Sequence, residues 1–311
     1  MNLADQVQAL YAKYGALKGI TIEIHKQLIA IAVKNEAASA TIFLQGAQVA
    51  EYSRIGEQPV LWLSQENDFK AGKSLRGGVP ICWPWFGDLS RNPDQVKDQV
   101  NLLETPAHGF VRSEDWELLA IDLIDSETTR LTLQLEVLPT ELWSYPAVLR
   151  LTVTVGVELD LELKVKNLGS DAFSYTSALH SYLQIGHVSE TAIEGLETVE
   201  YIDTLEDWQV KQSNSAIGIS AETDRIYPNI PAQVAIKDKQ MRRQILMSAD
   251  NLPDMVVWNP WIDKSKRLSH FADNDYENMV CLENASVLDN VVELAPGSDS
   301  ISKVSIRSVR L

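Results

Sequence analysis

The most regular hydrophobic pattern in the chain runs from Leu149 to Val165, where every odd position is Leu or Val, nine in succession. The even positions between them are polar or glycine. A repeat of two residues is typical of a β-strand with one buried face and one solvated face. Because these 17 residues exceed the usual strand length of about 5 to 6 residues, the pattern predicts two strands joined by a turn near Gly156 to Asp160.

Shorter strand patterns recur along the rest of the chain, in ATIFLQ, RLTLQLEVL, MVVWN, ENMVCLEN and SKVSIRSV. A helical period occurs at the start of the chain, where residues 4 to 14 carry apolar side chains at Val7, Leu10, Tyr11 and Tyr14. Gly15 stands where such a helix would end. The chain is therefore predicted to begin with a short helix and to continue as a β-protein.

No internal repeat of fixed period and no low-complexity linker divides the chain. The pattern therefore predicts an all-β fold, a large antiparallel β-sandwich that follows a short N-terminal helix. We expect residues 1–18 to form the helical leader and residues 19–311 to form a single β-sandwich domain.

Composition narrows the possible partners. A formal net charge of -16 argues against a nucleic-acid partner, because phosphate backbones are held by clustered Lys and Arg. The two cysteines, Cys82 and Cys281, give no disulfide framework, which favours a reducing compartment. The N-terminus lacks a secretory pattern and no window holds 18 consecutive apolar residues. We expect a cytoplasmic protein with no membrane partner.

Two long irregular stretches, residues 64–112 and 259–274, separate the strand patterns. Irregular segments of this length are uncommon unless they carry function. The first contains LRGGVPICWPWFG, residues 75–87. Its glycines allow close backbone approach or positive φ, and its aromatic rings suit either a sugar face or a tightly packed corner. The Arg76 guanidinium can donate two parallel hydrogen bonds to one anion. The acidic composition of the chain argues against the other use of an RGG motif, which is an RNA-binding tail.

Other polar side chains stand out in loops and at strand ends. The stretch AHGFVR supplies His108 and Arg112, although a His-Gly pair is also common in simple turns. AETDRIYPN places Asp224 next to Arg225. Asp224 is either an acceptor for sugar hydroxyls or one half of an intramolecular salt bridge.

The strongest candidates for proton transfer lie in apolar strands. TSALHSYLQIG contains His180 among small and apolar neighbours, where a histidine is either a satisfied core residue or a proton donor. NMVCLENA ends an apolar run with Glu283. This carboxyl group lies either at the sheet rim or in a pocket whose low polarity would tune its proton affinity.

Several chemistries find no support. The chain has no phosphate-binding glycine motif of nucleotide enzymes and no Gly-x-Ser-x-Gly elbow. Its five histidines are scattered without Cys or carboxylate partners at zinc spacing. We therefore expect no metal site.

Five motifs in one order resemble the hexose-6-phosphate mutarotases, also called glucose-6-phosphate 1-epimerases, of the aldose 1-epimerase superfamily. The motifs are RGG followed by Pro and aromatic residues, HGFxR, ALHSYLQIG, ETDRIY and CLENA. The resemblance spans roughly residues 20 to 305. It implies a β-sandwich of the galactose-mutarotase type that is active without a cofactor.

The resemblance also implies roles for the candidate residues. His180 matches the general acid of that family and Glu283 matches the general base. Arg76 and Arg112 match arginines that contact the phosphate group, and Asp224 matches an aspartate that contributes to substrate binding.

One further match and one departure concern the HGFxR motif. His108 aligns with a sugar-binding histidine in the neutral-sugar branch of the superfamily. Ala107 stands where relatives often have Gln. This difference affects a substrate contact and leaves the acid and the base untouched.

The chemistry agrees with these residue types. Interconversion of anomers requires a proton on the ring oxygen as the C1–O5 bond breaks and removal of the C1 hydroxyl proton as the aldehyde forms, so one donor and one acceptor suffice. We expect the imidazole and the carboxylate to face each other across a sugar-sized cleft.

The sequence thus predicts an isomerase that anomerises a hexose 6-phosphate, most readily glucose 6-phosphate, with a small-molecule sugar phosphate as partner. Two alternatives remain open. One is an epimerase of unphosphorylated aldoses, and the other is a catalytically silent carbohydrate-binding β-sandwich. The sequence does not determine the oligomeric state and is compatible with a monomer.

Overall fold

The computed structural model describes residues 2–100, 102 and 104–311. Their helices are α1 (Leu3–Tyr14), α2 (Asp94–Lys97) and α3 (Trp261–Ser265), with 3₁₀ turns at Leu89–Arg91, Val111–Ser113, Val188–Glu190 and Asp275–Glu277. The predicted N-terminal helix is confirmed by α1. The Asn2 side chain caps its start by accepting a hydrogen bond from the Asp5 N–H, and the Gly15 N–H donates to the Tyr11 carbonyl at its end.

The strands of the described residues are, in chain order, β1 (Ile20–His25), β2 (Leu28–Lys34), β3 (Ala38–Phe43), β4 (Val49–Arg54), β5 (Ile81–Cys82), β6 (Glu117–Leu123), β7 (Thr129–Val137), β8 (Ala147–Val155), β9 (Leu159–Asn167), β10 (Phe173–Tyr175) and β11 (Ser177–Gln184). They continue as β12 (Thr191–Glu194), β13 (Glu200–Asp203), β14 (Gln209–Gln212), β15 (Thr223–Tyr227), β16 (Gln233–Asp238), β17 (Arg243–Asp250), β18 (Asp254–Asn259), β19 (Met279–Ser286), β20 (Val292–Leu294) and β21 (Asp299–Arg310).

Two large antiparallel sheets dominate the fold. The eight-stranded sheet has the order β12-β16-β17-β21-β9-β8-β7-β6, and the seven-stranded sheet has the order β14-β13-β15-β18-β19-β11-β5. A four-stranded sheet, β1-β2-β3-β4, and the pair β10-β20 complete the architecture. The predicted all-β sandwich is confirmed.

The alternating pattern forms two adjacent interior strands of the eight-stranded sheet. β8 pairs with β9 in the register Leu151↔Leu163, and the turn between them lies where it was predicted. The odd positions within the two strands are buried in the core, Val157 in the turn is 48% exposed, and even positions such as Lys164 stay partly exposed. Burial of one face only is the physical origin of the period of two.

The seven-stranded sheet is covered on both faces at its centre. Every residue of β19 and all but the last residue of β11 are buried. Leu179 and Leu282 point into the main core. Because side chains alternate along a strand, His180 and Glu283 point away from that core, toward the irregular segments.

Helix α1 packs beside the sandwich. The Tyr14 hydroxyl donates to the carbonyl of Leu119 in β6 at 2.8 Å. The described residues contain no helix that combines the length and apolarity needed to traverse a lipid bilayer. The division of the chain into residues 1–18 and 19–311 stays a prediction.

The glycines of the RGG motif have a structural role. Gly77 and Gly78 have φ of 116° and 64°. A Cβ on Gly78 would lie 2.3 Å from the Val49 carbonyl oxygen, and one on Gly77 would lie 2.6 Å from the Leu63 Cα. The glycines are therefore needed for positive φ and for close approach to the chain's own backbone, which holds Arg76 in place.

We expect Gly78→Ala to lower the free energy of unfolding by about 2 kcal/mol or more, because it combines a positive φ with a backbone collision. The matched control is Gly218→Ala, since a Cβ at Gly218 meets no atom within 4 Å. That control is expected to be neutral or to stabilise by up to about 1 kcal/mol. Chemical denaturation measures both variants, and equal effects would contradict the interpretation.

Candidate active site

The candidate site lies on the outward face of the seven-stranded sheet. There β11 pairs with β19 in the register His180↔Glu283, and β18 places Val256 opposite Glu283 on the other side. The site is a cavity of about 610 Å³, large enough for a hexose phosphate. All six residues selected from the sequence line it: Arg76, His108, Arg112, His180, Asp224 and Glu283.

A larger groove of about 850 Å³ opens near the ends of β11 and β19, around Ser177 and Ser286. Its lining residues include no histidine, lysine, arginine or cysteine. The smaller cavity therefore has the chemistry of an active site although it is not the largest hollow.

His180 and Glu283 are in direct contact on the cavity floor. His180 Nε2 lies 3.3 Å from Glu283 Oε1, and the two residues are 6% and 2% exposed. The expectation that they face each other across a cleft is wrong, because cross-strand neighbours project side by side from one sheet face. Glu283 also lies inside a strand and in a pocket, so its placement at the sheet rim is excluded.

Burial controls the protonation of this pair. It lowers the pKa of His180 well below 6.5, and the nearby His108 and Arg112 act in the same direction. Burial also raises the pKa of Glu283 well above 4.5, with a contribution from the charge of Asp224. Both shifts favour the neutral forms, in which the imidazole can accept a hydrogen bond from a protonated carboxyl group.

The surroundings of the pair keep its remaining polar atoms available. Within the described residues, His180 Nδ1 and Glu283 Oε2 are buried without a hydrogen-bond partner. The Tyr182 ring stacks on the His180 ring at a centroid distance of 4.6 Å and an interplanar angle of 4°. This stack fixes the plane of the imidazole, so Nε2 stays directed at Glu283.

His108 has a fixed tautomer. The Gly87 N–H donates to His108 Nδ1 at 3.2 Å, which leaves the proton on Nε2. Burial, reinforced by Arg112 and Arg76, lowers the pKa of His108 to about 3. The ring is therefore a neutral donor next to His180, at a centroid distance of 5.6 Å.

The two arginines enter the cavity from the long irregular segments. Arg76 Nε donates to the Ser269 carbonyl at 2.9 Å, and Arg112 Nη2 donates to the Ala107 carbonyl at 2.8 Å. Among the described residues, neither guanidinium forms a salt bridge with a carboxylate. Their remaining N–H groups and positive charge are available to an anionic ligand. Ala107 thus contributes a backbone acceptor that holds the Arg112 side chain.

Asp224 lines the same cavity from β15, opposite Trp258 in the register. The alternative of a salt bridge with Arg225 is wrong, because the Arg225 guanidinium instead lies 4.7 Å from the centroid of the Tyr201 ring. Burial raises the pKa of Asp224, while Lys264 lowers it. The Asp224 carboxyl group is therefore placed to accept hydrogen bonds from a ligand.

The aromatic residues of LRGGVPICWPWFG separate into two groups. Trp83 and Trp85 are fully buried in the core, as the packed-corner interpretation predicted. Phe86 lines the cavity and contacts the His108 ring edge-on at 4.9 Å.

Sequence reasoning missed several cavity residues, namely Arg91, Tyr182, Trp208, Trp258 and Lys264. Tyr182 and Trp258 have a usable signal, since they stand two positions from His180 and Val256 in their strands and thus share a face with them. Trp208 and Arg91 come from separate loops, and the Arg91 guanidinium lies 5.5 Å from the centroid of the Trp208 ring. No local pattern indicates that these two meet.

The absence of metal-type spacing along the chain does not exclude potential metal ligands that meet in space. Potential ligand atoms of His180, Cys281 and Glu283 all lie within 4.8 Å of one another. The strand register brings them together although about one hundred residues separate His180 from the other two. Spacing along the chain cannot reveal such a group.

Known proteins resemble this chain over most of its length. The sequence model of the family described as Aldose 1-epimerase matches residues 30–307. A protein of Cenchrus ciliaris named "Putative glucose-6-phosphate 1-epimerase" is 32% identical over 281 residues, covering 87% of this chain and 81% of the relative. A protein of the same name from Salmonella typhimurium is 33% identical over 267 residues, covering 81% of each chain. A Salmonella typhimurium crystal structure titled "putative mutarotase" superposes with a TM-score of 0.85 at 28% identity and 95% coverage of both chains.

The protonation of Glu283 predicts a pH-dependent stability difference. As pH rises above 4.5 the unfolded state loses the proton while the folded state keeps it, so Glu283 destabilises the fold by up to about 1.4 kcal/mol per pH unit until its folded pKa is reached. Glu283→Gln removes this pH-dependent loss of folding stability. We expect its gain in free energy of unfolding to be larger at about pH 8 than at about pH 5.

Denaturant titrations at the two pH values measure this difference. The control is Glu136→Gln, an exposed glutamate of β7, for which the change in stability should not depend on pH. A Glu283→Gln gain that is the same at both pH values would contradict a protonated Glu283.

Proposed function

Since the chain belongs to the aldose 1-epimerase family, we propose that it interconverts the α and β anomers of a hexose 6-phosphate, with glucose 6-phosphate as the expected substrate. Membership makes the protein an enzyme of the isomerase class. The phosphorylated substrate is an inference from this chain's cavity and from the names of its relatives. The observation that carries the proposal is a His-Glu pair in contact at 3.3 Å in a cavity that two unpaired arginines also line.

Ring opening needs the proton of the pair on His180. Transfer from Glu283 Oε1 to His180 Nε2 across their contact gives an imidazolium and a carboxylate. The imidazolium then protonates the ring oxygen O5 as the C1–O5 bond breaks, and the carboxylate accepts the proton of the C1 hydroxyl as the C1=O1 bond forms. The pair returns to its neutral form with the open-chain aldehyde bound.

Ring closure reverses these transfers on the other face of the aldehyde. After rotation about C1–C2, O5 attacks C1, the O5 proton passes to His180, and Glu283 protonates O1. Proton transfer within the pair then restores the resting state, so protons balance without solvent. The neutral form favoured by burial is thus both the resting state and the state that accompanies the open-chain intermediate, and the charged pair occurs only during ring opening and ring closure.

The two arginines are the groups that we expect to bind the phosphate of the substrate. Each charge-assisted hydrogen bond contributes roughly 1.5 to 3 kcal/mol, and no protein carboxylate competes for Arg76 or Arg112 among the described residues. The net charge of -16 repels an anion only weakly at a distance, because screening limits its range to about 8 Å at physiological ionic strength. Local positive charge therefore decides binding.

The remaining polar groups suit sugar hydroxyls. His108 offers a neutral Nε2–H donor, and the Asp224 carboxyl group offers an acceptor. Trp258 presents an apolar ring that suits the C–H face of a sugar. Donors, acceptors and an apolar wall in one cavity fit a pyranose with a charged substituent.

Loss of either member of the proton-transfer pair should reduce the rate sharply. We expect His180→Gln and Glu283→Gln each to lower kcat for glucose 6-phosphate by about 10²- to 10⁴-fold, which is 2.7 to about 5.4 kcal/mol of barrier. Exchange NMR or polarimetry measures anomerisation above the buffer rate. The control is Glu136→Gln, at an exposed position of β7 outside the cavity, which should keep its rate. A loss below tenfold in both pair variants would reject this mechanism.

The arginines predict selectivity for the phosphorylated sugar. We expect Arg76→Ala and Arg112→Ala each to raise KM for glucose 6-phosphate by about 10- to 100-fold, with little change in any activity on glucose. Assays on glucose, glucose 6-phosphate and galactose 6-phosphate test this.

Equal losses on glucose and glucose 6-phosphate would give the arginines a structural role. Faster turnover of free glucose or galactose would instead favour an epimerase of unphosphorylated aldoses. Ligand-induced stabilisation without turnover would favour a carbohydrate-binding protein.

A further inference from the structure

Cys281 has no role in the proposed anomerisation, yet it lies beside the acid and the base. It precedes Glu283 by two positions in β19, so both side chains project from the same face. It also stands opposite Tyr182 in the register, as Glu283 stands opposite His180. One imidazole nitrogen, one sulfur and one carboxylate oxygen therefore form a triangle with sides of no more than 4.8 Å.

We propose that His180, Cys281 and Glu283 form a zinc-binding site and that a bound Zn²⁺ ion switches the enzyme off. The binding part stands on the geometry of the three residues alone. The inhibitory part rests on the proposed function, because it assumes that His180 and Glu283 transfer the protons.

The donor set is selective. Zn²⁺ is bound in proteins by Cys sulfur, His nitrogen and carboxylate oxygen, whereas Mg²⁺ prefers oxygen ligands in octahedral geometry. Three protein ligands with a vacant fourth direction are typical of zinc sites that are open to solvent or substrate. Here the open direction is the cavity, since His180 and Glu283 both line it.

The distances between the three ligand atoms fit a tetrahedral zinc site after a small movement of the Cys281 sulfur. Zinc–ligand bonds of about 2.0 to 2.3 Å in a tetrahedron place ligand atoms about 3.3 to 3.8 Å apart. His180 Nε2 and Glu283 Oε1 already lie 3.3 Å apart. The Cys281 sulfur needs to approach by up to about 1 Å, which a rotation about its side-chain bond provides.

Two further features favour the ion. Glu283 Oε2 is buried and has no hydrogen-bond partner among the described residues, so it has a free acceptor position at the site. On binding, the thiol and the carboxyl group release their protons to the buffer. The product, a divalent cation with one thiolate, one carboxylate and one neutral imidazole, has no net charge and therefore suits a buried position.

A bound ion blocks the reaction by a simple exclusion. It occupies the Nε2 lone pair of His180 and the carboxylate of Glu283, which are the two groups that exchange protons with the sugar. Substrate and zinc therefore compete for the same atoms, and inhibition should weaken as glucose 6-phosphate is raised.

Direct titration of the full-length protein tests the metal site. We expect Co²⁺, as a spectroscopic substitute for zinc, to bind with a stoichiometry of one and to show a thiolate-to-cobalt charge-transfer absorption that Zn²⁺ displaces and Mg²⁺ does not. Cys281→Ala and Cys281→Ser should both abolish this absorption and weaken zinc binding by more than about tenfold, while anomerisation without metal is retained.

The chain provides a matched control. Cys82 is the other cysteine of the sequence, is also fully buried, and lies on the same sheet face opposite Ala178, but it does not belong to the triangle. Cys82→Ala should keep the charge-transfer absorption and the zinc affinity. Thermal unfolding of each cysteine variant shows whether it folds. If Cys281→Ala does not fold, the result for Cys281→Ser decides the test.

The outcomes are separable from the proposed function. Absence of the charge-transfer absorption, or its survival in both Cys281 variants, overturns the metal site whatever the activity. Zinc binding that depends on Cys281 but leaves the anomerisation rate unchanged overturns the inhibition. Cobalt binding as described in a protein that turns over no sugar overturns the proposed function and leaves the metal site standing.

Discussion

One cross-strand pair determines the character of the site. His180 and Glu283 meet because β11 and β19 align in a single register, and a slip of one residue by either strand would turn its side chain into the main core. The same register sets Tyr182 against the imidazole and Cys281 beside the carboxyl group. The proton chemistry and the donor triangle are therefore two results of one backbone alignment.

Burial shifts the pKa values of this pair and also makes it unfavourable for stability. Low polarity favours the neutral imidazole and the protonated carboxyl group, a form in which one proton can move between them. Unsatisfied polar atoms in a covered strand oppose folding. Functional sites commonly retain such groups at the expense of stability. The apolar side chains on the opposite faces of β11 and β19 offset that loss by burial in the main core.

Much of the fold could be predicted because its signals are local. The odd-numbered Leu and Val residues of β8 and β9 alternate with polar residues because only one face of each strand is buried, and this alternation predicts the strands. A glycine marks the end of the first helix. The six candidate site residues could be chosen by residue type, motif and resemblance. Their arrangement could not, since it depends on pairing between distant strands. Glu283 illustrates the difference: its position after an apolar run left open whether it lies at the sheet rim or in a pocket, and the pairing of β19 with β18 and β11 decides for the pocket. Trp208, Arg91 and Cys281 were missed for the same reason, because their partners come from other parts of the chain.

The long separation between the two members of the pair also governs when activity can first arise. Residue 283 is synthesised 103 positions after residue 180, and closing so long a loop opposes their pairing until neighbouring strands are in place. β18 must be available to flank β19, and the segment with Arg76 must already cover the sheet. During translation, a nascent chain that has completed the eight residues of β11 but not β19 holds an isolated imidazole and lacks the pair on which the proposed mechanism depends. Activity therefore emerges late, after most of the polypeptide has left the ribosome.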